Sequence, residues 1–167
     1  MTKKQGTFTA FLERKHIRPS ARTYFIDAMG AMALGLFATL LMSTILGTLA
    51  DLIYSEASTD DFLNQMAGYA KNATGMAIGV AIAYALKAPP LVIYSAAVVG
   101  AMANTMGALI NGTSFSAGPA GIFFVTIIAV ELGKAVSKET KVDILVTPSV
   151  VLFAGYGLSL LICPAIA

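Results

Sequence analysis

Glu131 and Lys134 stand three residues apart in "GPAGIFFVTIIAVELGKAV", a stretch with no other charge. On a helix that spacing makes them neighbours, and a carboxylate and an ammonium there can pair. Glu131 falls about 12 residues past Pro119, roughly 18 Å along a helix. One expectation is an interfacial pair whose lysine snorkels toward water along its aliphatic stem. The other is a substrate or proton site, because a carboxylate deep in apolar surroundings is costly and usually retained for function.

A second constellation opens the last apolar stretch. "TKVDILVTPSVVLF" places Asp143 at its start and Thr147 and Pro148 about one turn further on. A carboxylate at a helix start accepts hydrogen bonds from N–H groups that have no intrahelical partner, and opposes the positive end of the helix dipole. Pro148 has no N–H, so the carbonyl of Ile144 loses its partner. In hydrocarbon such a group costs about 2–7 kcal/mol unless something replaces the bond, and Thr147 is the nearby candidate. The alternatives are a broken helix end lining a substrate path and a capped, mildly kinked helix.

Two amides complete the candidate set. Asn104 shares a helical face with Ala97, Gly100, Ala108 and Asn111, and Asn72 shares one with Gly75, Gly79 and Ala83. Small residues let helix backbones approach closely, and an Asn can bond across the contact. The faces either pack together or meet around a ligand. The candidate solute-binding residues are therefore Asn72, Asn104, Glu131, Asp143, Thr147 and Pro148. Lys71 and Asp51, both near the outer end of adjacent spans, are expected to form a structural ion pair, with a binding site there as the alternative. Isolated His16 and Cys163 leave no basis for a His-pair or Cys-cluster metal site, and the sequence carries no phosphate-binding loop, cofactor motif or catalytic triad.

The elements that position these residues follow from composition. Of 167 residues 57% are apolar and 12% charged, with a mean hydropathy of +0.77. A soluble domain carries about 25% charged residues, so most of this surface meets lipid. A net charge of +2 gives no case for nucleic acid. Helical spans need roughly 20 apolar residues, which predicts an all-α integral membrane protein. Five transmembrane helices are expected, at about 25–49, 70–86, 89–110, 119–136 and 143–166. They follow a basic amphipathic segment over 1–24 that carries Lys3, Lys4, Arg14, Lys15, Arg18 and Arg22 among Phe8, Phe11, Leu12 and Ile17. Thr59, Asp60 and Asp61 suit a helix start. The pair Pro89-Pro90 must lie at a helix start rather than inside one.

Charge sets the expected topology. With the N-terminus cytoplasmic, the inner segments hold every Lys and Arg except Lys71, while the outer stretches 54–69 and 111–118 hold none. That is the positive-inside bias in strong form. An odd number of spans would insert a following copy upside down, as in inverted-repeat transporters. The expected companions are an inverted second half or sister copies in a homo-oligomer, besides membrane lipid and a small-molecule solute. The absence of a polar segment after the last span suggests half of a larger unit.

"YFIDAMGAMALGLFATLLMSTILGTL", "LKAPPLVIYSAAVVGA", "GPAG", "VELGKAVSKETKVDILVTP" and "GLSLLICPAI" together resemble the enzyme-IIC-like membrane proteins of the bacterial phosphotransferase system, in the subgroup of sugar-transporter IIC type 2. The resemblance covers residue 24 onward. It implies ten spans in two inverted halves, with this chain as the N-terminal half in the bacterial inner membrane. It also implies uptake of a sugar-like solute coupled to phosphorylation, the chain being at most the translocating subunit and the phosphate coming from a separate cytoplasmic phosphocarrier. A membrane-embedded sensor that binds a solute without moving it is the alternative.

Overall fold

The computed structural model describes residues 10–15, 17, 20–53, 61–111, 117–137 and 143–166, with the helical backbone alone for 107–111. Lys3, Lys4, Phe8, His16, Arg18, Pro19, Thr59, Asp60, Lys138 and Lys141, with the turn at 112–116, lie outside the described residues.

The described chain is helical. α1 runs Thr23–Ile53, α2 Phe62–Asn72, α3 Thr74–Ala85, α4 Pro90–Asn111, α5 Gly118–Val136 and α6 Asp143–Ile166. Three of these, α1, α5 and α6, are long and apolar enough to cross a membrane, while α3 and Pro90–Met106 are apolar but shorter. The second expected span differs most from expectation. Its limb begins at Phe62 rather than near Ala70, and it is split at Ala73. α1 is also longer than expected, at 31 residues. Both changes share a cause. α2 lies antiparallel on the far half of α1, where the Ser43 hydroxyl donates to the Ala67 carbonyl at 2.8 Å, and each helix extends the other's packing surface.

Helix starts obey local chemistry. Asp61 precedes α2 in extended conformation. Pro90 opens α4, where its missing N–H costs no helical bond. Pro119 is in the first turn of α5, preceded by Gly118 at φ +60, a left-handed backbone that glycine adopts without strain. α3 ends in a tight turn: the Lys87 N–H donates to the Tyr84 carbonyl at 2.9 Å and the Ala88 N–H to the Ala83 carbonyl at 3.0 Å. Lys87 itself is left-handed at φ 54.

The helices fold back and forth around α4, which packs against α3, α5 and α6. Close approach of α3 and α4 rests on glycine. A Cβ on Gly79 would lie 2.2 Å from the Ala96 carbonyl oxygen, and one on Gly100 would lie 2.1 Å from that of Gly75. α6 runs parallel to α4, with Gly155 against Val99 and the Cys163 thiol donating to the Ala103 carbonyl at 3.4 Å. α5 closes the group, with Gly133 against Val92 and Val151. The core is aliphatic: Ile78, Ile82, Val92, Val99, Ile122, Val125, Val130 and Val151 are fully buried. Leu34, Phe37, Leu52, Leu145, Phe153 and Leu161 point outward, as lipid-facing side chains do.

Candidate functional site

The six sequence-predicted residues fall in three places. Asn104 lies in a cleft of about 270 Å³ bounded by Leu36 and Leu40 of α1, Lys71 of α2, Thr74 and Ile78 of α3, and Gly118, Pro119 and Ile122 of α5. Asn72 is exposed and does not line the cleft. α2 ends at Asn72 and α3 begins at Thr74. Gly75, Gly79 and Ala83 are buried while Asn72 is exposed, and Lys71 lines the cleft.

The cleft lies beside the middle of α1, between the end of α2, the start of α3 and the start of α5. Leu36 and Leu40 are 13 and 17 residues into α1, roughly 20–25 Å along its axis. Lys71 is about 14 Å past the start of α2, in its last turn. Among the described residues Lys71 makes no ion pair, with Asp51 or any other carboxylate, so the expected Lys71–Asp51 pair is not formed. Asp51 lies near the end of α1, well above the cleft. The wall of α1 beside the cleft has a run of wider π-type turns over Phe37–Leu41, a local irregularity frequent at functional sites.

Glu131 and Lys134 form a second group toward the Thr23 end. They pair as their spacing foretold, with Nζ to Oε1 at 3.1 Å. The snorkelling expectation fails, however. Lys134 is 1% exposed, and its ammonium turns inward to donate to the Leu86 carbonyl at 3.0 Å. The reason lies in the neighbouring turn. Pro89 and Pro90 have no N–H to offer, so the carbonyl at the end of α3 takes its hydrogen bond from a lysine on α5. Tyr24 of α1 sits close enough to Glu131 to feel its charge. The second carboxylate oxygen, Oε2, is buried without a hydrogen-bond partner. The hydroxyls of Thr126 and Ser137 are in the same state, so all three such atoms among the described residues belong to α5 and the residue after it.

Asp143, Thr147 and Pro148 form the third group. Asp143 opens α6 as expected. Thr147 is fully buried and donates its hydroxyl proton to Asp143 Oδ1 at 2.5 Å. That proton is therefore not given to the Ile144 carbonyl, the role foreseen for it. Pro148 sits inside a helix that continues without interruption to Ile166. Of the two alternatives, the fold displays a helix that carries its proline within a continuous run. Gly133 faces α4 and α6, and Glu131, two residues earlier, is on the opposite side of α5. The Glu131 and Thr147 groups are thus separated by the thickness of that helix.

What the arrangement can do chemically differs by group. Glu131 pairs with Lys134 through Oε1 alone, leaving Oε2 without a partner, and Asp143 accepts from Thr147. The cleft brings an ammonium, an amide and a hydroxyl to one half-open space with an otherwise apolar wall. Comparison with known protein families matches residues 26–167 to the family described as phosphotransferase system, EIIC. The chain belongs to that family. It is a transporter-like membrane protein of the EIIC type, and its apolar helices are those of a membrane protein. No match was found among curated proteins or among solved structures.

Sequence reasoning missed Thr74 as a lining residue of this EIIC chain and Leu86 as the partner of Lys134, and it favoured an ion pair over a site for Lys71. For Lys71 a signal existed. It was the one Lys or Arg outside the segments that carry the charge bias.

Proposed function

We propose that this chain is the translocating component of a phosphotransferase system, one half of an inverted-repeat permease for a small, sugar-like solute. On this reading α1, the α2–α3 limb, α4, α5 and α6 are five membrane crossings. The N-terminus, the turn at Lys87 and the loop after α5 face the cytoplasm of a bacterial cell, as the distribution of Lys and Arg supports. The basic amphipathic residues up to 24 lie on that surface, and residues 25–167 form the membrane domain. The phosphate comes from a separate cytoplasmic phosphocarrier, and an inverted second half or sister copies complete the permease.

The observation that carries the reading is the cleft. Asn104 of α4 and Lys71 of α2 line the same cleft beside a split limb. Broken helices and midplane sites are how transporters hold a polar solute in a bilayer. Glu131 and the Asp143–Thr147–Pro148 group lie toward the cytoplasmic end of the same bundle, where the released solute passes. The test is uptake of labelled solutes into proteoliposomes, in parallel for the wild-type chain and Asn104→Ala. Saturable uptake that Asn104→Ala reduces at least tenfold is expected. Binding without any transfer favours the sensor reading instead. That reading draws support from the Lys15 ammonium, which donates to the Ser137 carbonyl and so ties the basic segment to the end of α5.

A further inference from the structure

We infer that the cleft selects an anion: a polyhydroxylated carboxylate of about monosaccharide size rather than a neutral sugar. The inference rests on the reading of the cleft as the solute site and concerns only the charge class of its occupant.

Charge in the lining has one sign. Lys71 supplies an ammonium, and no carboxylate lines the cleft among the described residues. The carboxylates that could have neutralised it are elsewhere. Asp51 is far along α1, and Glu131 is held by Lys134 about nine residues, roughly 14 Å, further down α5. The same sign comes from the backbone. Gly118 and Pro119 line the cleft, and they begin a helix of 19 residues. The first turn of α5 therefore borders this space, and the positive dipole end there favours negative charge nearby.

Lys71 is exposed where Lys134 is buried, so its ammonium is open to an entering solute. A neutral sugar would leave the ammonium uncompensated when it bound. A carboxylate would pair with it, while Asn104 and Thr74 serve hydroxyl groups, the amide as donor and acceptor. A volume of about 270 Å³ is below the usual range of about 300–1,000 Å³ for drug-sized ligands, which confines the occupant to a small molecule.

The test is thermal unfolding of the purified chain in an uncharged detergent, with D-gluconate and D-glucuronate as anionic probes and sorbitol and D-glucose as their neutral counterparts. The expected result is an upward shift of the midpoint with at least one acid and none with its neutral counterpart. Lys71→Met, which keeps length and removes charge, abolishes that shift, and Lys71→Arg retains it. Equal shifts with neutral and acidic probes, unaffected by Lys71→Met, overturn the anion selectivity while leaving the cleft as a solute site. A shift by the acids that neither Lys71→Met nor Asn104→Ala alters removes the cleft itself from the solute's path. A Lys71-dependent shift produced by added phosphatidylglycerol and by neither acid assigns the charge to a lipid headgroup and overturns the proposal.

Discussion

Two lysines in the same bundle show two ways of placing a cation among apolar helices. Lys134 is 1% exposed, with a carboxylate at 3.1 Å and a backbone carbonyl at 3.0 Å. Lys71 is exposed at the edge of a cleft and has neither kind of partner among the described residues. The first satisfies its hydrogen bonds within the protein and joins α5 to the turn after α3. The second leaves its charge to whatever enters the cleft. A charged residue inside a membrane protein is therefore read by what it touches more than by its depth.

The largest expected effect tests the structural member of the pair. Lys134→Met leaves the Glu131 charge buried without a counter-ion and the Leu86 carbonyl without a donor. Breaking a buried pair by removing one partner costs about 3–5 kcal/mol, to be read from denaturant unfolding in detergent micelles. The double variant Lys134→Met with Glu131→Leu is expected to recover a large part of that loss, because no lone charge remains. If the single variant is as stable as wild type, the contrast between the two lysines fails.

Next comes the wall between the two regions. Gly100→Ala places a methyl group 2.1 Å from the Gly75 carbonyl oxygen and forces α3 and α4 apart. Overpacking of this kind costs about 1–3 kcal/mol. Because Gly75 also abuts Asn104, the same variant is expected to weaken solute binding at the cleft while the Glu131–Lys134 pair stays intact. Unfolding midpoints and binding isotherms on one preparation separate the two outcomes.

A smaller effect is expected at the turn that Lys134 caps. Lys87 holds a left-handed backbone at φ 54, a conformation that costs a residue with a side chain about 1–2 kcal/mol. Lys87→Gly relieves that cost but adds backbone freedom to the unfolded chain, so a gain of about 0.5–1 kcal/mol is expected. A loss of stability would mean that the Lys87 side chain holds the turn.

The smallest expected change is in the stability of Lys71→Met. Removing an uncompensated ammonium breaks no pair, so the unfolding midpoint of the ligand-free protein should not fall. A drop comparable to that of Lys134→Met would give Lys71 a structural role and erase the comparison.

Some of this was legible beforehand. The pairing of Glu131 with Lys134 follows from their spacing on one helix, and Asp143 at the start of α6 follows from the preference of carboxylates for helix N-termini. The glycine contact between α3 and α4 follows from the pattern of small residues. Asn72 shows where such reasoning stops. Its place on a face with Gly75 and Gly79 assumed that the whole face is packed, whereas Asn72, the last residue of α2, is exposed and the glycines of α3 are buried.

The sequence by itself determined that the protein is helical and apolar, where most helices begin, and which charges sit within apolar runs. Those properties depend on residues within a turn or two of one another and on the cost of placing polar groups in hydrocarbon. Tertiary structure alone decided that Lys134 reaches the carbonyl of Leu86, 48 positions away in the chain. It also decided that Lys71, Thr74, Asn104 and the start of α5 close around one cleft. The relative rotation of two helices is set by side-chain packing along their whole contact, and no short stretch of sequence contains that information.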